Sequence, residues 1–134
     1  LSQKDLTTLL KSDDIFIPLS IMDSSLSLLE ATVKYLREQL LLKNNDVAAL
    51  LGRDYRTIST TYSHALAKQK KPFTNIDFAY AFPLSLLSSR KQSVLESVVV
   101  YLHTKHMFSF KQIAQILHRN YQTVWTAARR AKLK

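Results

Sequence analysis

Residues 109–132 read SFKQIAQILHRN-YQTVWTAARRAK, and the order of residue types in this stretch decides the fold. Ser109 followed by Gln112 is a capping box, in which the hydroxyl and the side-chain amide satisfy two orphan amides at a helix start. Ile113, Ile116 and Leu117 then recur at helical spacing, which predicts a short helix over about 110–117. Leu117-His118-Arg119 reads as a tight corner, and His is among the less unfavourable non-glycine residues where φ must be positive. Asn120 is a strong N-cap for a further helix whose inward face is Val124, Ala128 and Ala131.

The same grammar occurs 66 positions earlier, and the chain reads as an internal repeat. Ser27, Leu29, Glu30, Val33, Tyr35 and Leu36 fall on Ser93, Leu95, Glu96, Val99, Tyr101 and Leu102. Further on, Ala48, Leu51, Arg53, Tyr55, Thr57, Thr60, Ala65 and Lys68 fall on Ala114, Leu117, Arg119, Tyr121, Thr123, Thr126, Ala131 and Lys134. Both copies are preceded by matching lead-ins, Ile17-Pro18-Leu19-Ser20 and Phe82-Pro83-Leu84-Ser85, displaced by 65. Each copy predicts three helices. The first starts at the capping box Ser27/Glu30 or Ser93/Glu96 and buries one stripe, Leu29, Val33, Leu36 and Leu40 or Leu95, Val99, Leu102 and His106. The second covers about 44–51 in the first copy, where Lys43 replaces the capping serine and Asn44 or Asn45 is the expected cap. Gly52 then suits the corner, Asp54 caps the third helix, and Ile58, Tyr62 and Ala65 face inward.

The expected fold class is therefore all-α: two tandem three-helix helix-turn-helix units, plus a short N-terminal helix. The expected boundaries are 1–16 for the N-terminal extension, 17–68 for the first unit, 69–81 for a connector and 82–134 for the second unit. Phe73, Ile76, Phe78, Tyr80 and Phe82 make the connector too apolar for a free tether, so it should pack. With 46% apolar residues, one Gly and three Pro, the 134-residue chain can bury a core but has few turn-formers for a β-sandwich. No apolar run approaches the roughly 20 residues that span a bilayer, and the start of the chain lacks a signal-peptide layout, so no membrane is expected. The absence of cysteine excludes disulfides, thiolate catalysis and Cys-based zinc sites.

The net charge of +9 is unevenly divided: residues 1–77 hold 10 basic and 9 acidic side chains, whereas 78–134 hold 9 basic and 1 acidic. The second half should dominate attraction to a polyanion. Nothing points to an enzyme, a cofactor or a metal. His103 and His106 lack a second pair of ligands, Glu30 and Glu96 already have capping roles, and there is no Gly-rich phosphate loop.

The segment from Ser109 to Ala131 resembles the DNA-reading part of region 4 of bacterial sigma factors and related regulators, and residues 46–58 look like the same family. Nothing resembles the polymerase-binding helices of sigma region 2. The resemblance implies that the third helix of a unit lies in the major groove with its leading residues at base edges. Carried over by position, the second unit offers Tyr121, Gln122, Thr123, Trp125 and Thr126 to bases, with Arg129, Arg130, Lys132 and Lys134 on phosphates. The first unit offers Tyr55, Arg56, Ser59 and Thr60. Arg53 and Arg119, beside the corners, are either phosphate contacts or partners of helix-end carbonyls. Trp125 is either exposed or packed between the units, and Tyr55 and Tyr121 either touch DNA or cover the turn. The leading functional expectation is a cytoplasmic, nucleoid-associated DNA binder, a transcription regulator or chromatin protein, whose partner is double-stranded DNA. The competing expectation is an adaptor whose near-neutral first unit docks on a protein such as RNA polymerase, with weak DNA binding. RNA is a third, weaker candidate.

Overall fold

The computed structural model describes residues 15–89 and 91–132. The expected N-terminal helix over 1–16 lies almost wholly outside the described residues, as does Lys134, and Phe16 already belongs to a strand. Strand β1 (Phe16–Pro18) runs into a 3-10 turn (Leu19–Ile21), then helices α1 (Leu28–Glu38), α2 (Asn44–Leu51) and α3 (Tyr55–Lys68). Strand β2 (Ala81–Pro83), a second 3-10 turn (Leu84–Ser88) and helices α4 (Val94–Lys105), α5 (Phe110–Leu117) and α6 (Tyr121–Lys132) follow in the same order. Helices dominate, as the composition implies.

Local chemistry sets the helix ends. Ser27 Oγ accepts the Glu30 N–H (3.0 Å) while Glu30 Oε1 accepts the Ser27 N–H (2.9 Å), and Ser93 with Glu96 and Ser109 with Gln112 repeat this exchange. The start of α2 differs from expectation. Neither Asn44 nor Asn45 is the cap; the helix begins after Lys43, and the Asp46 carboxylate reaches back to the Lys43 N–H (3.1 Å). An acid in the first turn also suits the positive end of the helix dipole.

The corners are left-handed. Gly52 has φ +62° and His118 φ +56°, and the next residues, Arg53 and Arg119, donate their N–H to Ala48 and Ala114 carbonyls at 3.0 and 2.9 Å. The exits of α1 and α4 use the same device at Leu41 (φ +58°) and Met107 (φ +59°), after which Leu42 and Phe108 donate to Leu36 and Leu102 carbonyls. Leu and Met are poor choices there, because a side chain crowds its own carbonyl in this conformation. Both are also exposed, Met107 by 81%.

One core joins both halves of the chain. β1 pairs antiparallel with β2 in the register Phe16–Pro83, Ile17–Phe82 and Pro18–Ala81. No strand was expected from the sequence; three-residue strands carry no period, and the partner lies 65 residues away. Beyond the strands, Leu19 N–H donates to the Tyr80 carbonyl and Leu84 N–H to that of Ile15, at 2.9 and 2.8 Å. The 3-10 turn after β1 packs on α5, and the one after β2 packs on α2. The packing therefore crosses over: each 3-10 turn rests on a helix of the other triplet, while β2 and its turn also pack on α4 of their own. Ile17 and Phe82, facing each other, are fully buried, and each such side chain contributes about 1.5–3 kcal/mol.

Arg53 and Arg119 close this exchange. Arg53 donates to the carbonyl of Leu51, at its own helix end, and to that of Leu87 in the other half. Arg119 donates to Leu117 O (3.0 Å) and across to Asp23 O (3.2 Å) and Leu26 O (2.7 Å). Of the two readings, the carbonyl partnership is the one the geometry displays.

Two further expectations need correction. α1 is buried on nearly every side, including Thr32 and Lys34, and not along one stripe, because α2, α3 and α4 all pack on it. Lys34 pairs there with Glu38 and lies 5.3 Å from the Phe73 ring. The connector packs only in part: Phe73 is buried and Ile76 half-buried, while Phe78 and Tyr80 are exposed. It is held instead by polar contacts, Asn75 to the Ser20 carbonyl and Ser20 Oγ to the Asp77 backbone. Among the described residues, no helix is long and apolar enough to cross a membrane.

Arg119→Ala should lower unfolding free energy by about 2 kcal/mol, because it strands several part-buried carbonyls. Arg119→Lys should restore less than half, since an ammonium lacks the planar fork; denaturant titration measures both. Met107→Gly should raise stability by about 1 kcal/mol by relieving the left-handed strain, read as a higher thermal midpoint.

Candidate nucleic-acid interface

α6 is anchored by Val124, Ala127 and Ala131, which are buried against α4 and α5. That spacing turns Gln122, Trp125 and Arg129 to the opposite side, where all three are exposed. Tyr121 (52% exposed), Thr123, Arg130 and Lys132 are exposed around them, and Thr126 is half-buried. Asn120 fixes the leading end, its Oδ1 accepting both the N–H and the hydroxyl of Thr123 at 2.8 Å. The Thr123 hydroxyl proton is thereby committed to the cap, leaving its oxygen as an acceptor and its methyl free for apolar contact.

Trp125 is 36% exposed, with the Arg129 guanidinium 5.3 Å from its ring. It neighbours Phe110, Ala128 and Lys132 in a shallow groove of its own triplet, so it is not packed between the two halves. Among the described residues, no carboxylate pairs with Arg129, Arg130 or Lys132. Lys111, exposed on the first turn of α5, adds a cation to this half. It was not singled out from the sequence, although it lies off the Ile113–Leu117 face.

α3 presents a poorer surface. Ile58 and Ala65 anchor it, which leaves Arg56 and Thr60 exposed, Tyr55 half out, and Ser59 half-buried. The Asp54 carboxylate accepts the Arg56 N–H at 2.7 Å, beside the only cation of the leading turn. At the far end Lys68 is bound to Glu30 (2.8 and 3.0 Å). Burial pushes the Glu30 carboxyl up, but the Lys68 hydrogen bond and the Ser27 N–H outweigh it and hold the group below its ordinary value. Tyr62 donates to Glu38 (3.0 Å) beneath the Arg37 guanidinium, and burial together with that carboxylate raises its pKa. Lys70 and Lys71, past the end of α3, are exposed, as the polar start of the connector predicts.

Arg53 and Arg119 are half-buried on carbonyls, as described, and precede α3 and α6 without lying on their outer faces. Nearby, hydrogen bonds from Ser25 to Asp23 hold its carboxyl below the ordinary range, helped by His118 and Arg119. His103 contacts the Phe108 carbonyl, and His106 packs among Tyr80, Tyr101 and Phe108.

No protein-family model matches the chain, and no curated protein or solved structure is significantly similar to it.

The single tryptophan of the chain is a built-in probe of this surface. Iodide should quench Trp125 emission more strongly than caesium, because the neighbouring cations concentrate anions. Added salt should narrow the difference; a caesium preference would show that the field at α6 is not positive.

Proposed function

We propose that this protein is a DNA-binding protein built from two helix-turn-helix units, α1–α3 and α4–α6, with α6 as the dominant reading helix. The observation that carries the reading is the outer face of α6: Arg129, Arg130 and Lys132, without acidic partners among the described residues, beside Gln122 and Trp125 on a helix whose other side is locked into the core. Cations of this kind neutralise phosphates and set register, while a glutamine amide at the leading end matches adenine N6 and N7 in the major groove. Thr123 and Thr126 suit a thymine methyl. The first unit contributes less, because its Lys68 is neutralised by Glu30 and its Arg56 sits beside Asp54. A role as transcription regulator or chromatin-associated protein, on the nucleoid of a cytoplasm, follows from such binding.

Gel-shift titration across salt tests this. The wild type should bind duplex DNA with a steep salt dependence, and Arg129→Ala with Arg130→Ala should cut affinity about tenfold or more and flatten the log–log slope by about 2. Arg56→Ala should flatten it by about 1 or less. Equal effects would overturn the dominance of α6.

A second reading, an adaptor that docks on a protein such as RNA polymerase, is favoured by the near-neutral first half with its exposed Leu41 and Tyr55. Absence of salt-dependent DNA binding, together with a stable complex in pull-down, would select it.

A further inference from the structure

The strand pairing carries information about orientation. In the sequence repeat, displaced by 65 in the lead-ins, Phe16, Ile17 and Pro18 correspond to Ala81, Phe82 and Pro83. In the sheet, Ile17 faces Phe82, its own counterpart, while Phe16 faces Pro83 and Pro18 faces Ala81. An antiparallel pair in which a residue faces its own equivalent, and its neighbours cross over symmetrically, is related by a local two-fold axis through that pair. The flanking hydrogen bonds obey the same operation: Leu19 to Tyr80 and Leu84 to Ile15 are equivalent under the 65-residue displacement. Each 3-10 turn also crosses to a helix of the other triplet, α5 or α2, and Arg53 and Arg119 each donate to the other half, although to carbonyls at non-equivalent positions. A chain of beads on a tether would carry no such axis. Here the connector is pinned by Phe73, Asn75 and Ser20–Asp77, so the relation is fixed.

Resting on the DNA-binding reading above, we infer that the preferred DNA site is an imperfect inverted repeat, with the protein's internal axis lying on the dyad of the duplex. Two reading helices related by a two-fold axis meet the two strands in opposite polarity, so a direct repeat cannot satisfy both. The halves are unequal in a way the exposed residues define. Tyr55 and Tyr121, Thr57 and Thr123, and Thr60 and Thr126 are the same residues in both copies and read the same features. Arg56 stands where Gln122 stands in the other copy. Arginine pairs with guanine O6 and N7, and glutamine with adenine N6 and N7. At that one position the half-site under α3 carries guanine and the half-site under α6 carries adenine.

Selection of duplexes bound by the full chain from a random-sequence pool tests this. The enriched sites should share an inverted repeat with a guanine-for-adenine difference between halves. Reversing the weaker half within the best site should cost about tenfold in affinity, at every spacing tried, since it misplaces the whole half-site. Arg56→Ala should erase the base preference in one half only, and Gln122→Ala in the other; both side chains are exposed, so circular dichroism should be unchanged. Enrichment of direct repeats or lone half-sites, or indifference to reversal, would overturn the inference while leaving DNA binding intact. No salt-dependent binding to any duplex would overturn both.

Discussion

The pairing of Ile17 with Phe82 is the constraint from which the rest of the architecture follows. Three-residue strands supply little energy alone, yet this pair brings together segments far apart in the chain and buries both side chains at the point where the halves meet. Once it forms, each 3-10 turn is delivered to the opposite triplet, and each corner arginine finds carbonyls it could not otherwise reach. The arginines add direction to an otherwise apolar junction: a guanidinium with carbonyls on both sides tolerates little slippage. The shared core also explains why α1 is enclosed on nearly all sides. It lies at the centre of the junction, touching α4 as well as its own triplet.

Features written in neighbouring residues are legible in the sequence alone. Ser27, Ser93 and Ser109 announce helix starts because their partners sit three residues on, and Gly52, Asp54 and Asn120 announce corners and caps for the same local reason. The outward face of α6 was legible because Val124 and Ala131 set its phase. What escaped depends on distant partners. Neither the strand pairing nor the destination of Arg119, on carbonyls more than 90 residues away, leaves a periodic trace. Nothing local links Lys68 to Glu30, 38 residues earlier, and only the fold brings them together. Leu41 and Met107 occupy left-handed positions that their residue types argue against, so no sequence rule would have placed them there.

The two triplets share a backbone plan and differ in electrostatics. In the first, acids have been drawn into the structure: Glu30 holds Lys68, Glu38 holds Lys34 and Tyr62, and Asp54 sits by Arg56. In the second, Glu96 is the one acidic residue after position 77, and it is buried at a helix start. A common scaffold thus carries one internally compensated surface and one that leaves its field unbalanced. The long-range field is governed by the second.

Covalent linkage of the two related halves has a consequence for behaviour at low abundance. Two-fold proteins assembled from separate chains fall apart on dilution. Here the partner is always at hand, tied by a connector of about a dozen residues. The paired architecture therefore does not depend on concentration. Each half is also free to diverge without forcing the same change on its counterpart, a liberty that identical subunits lack.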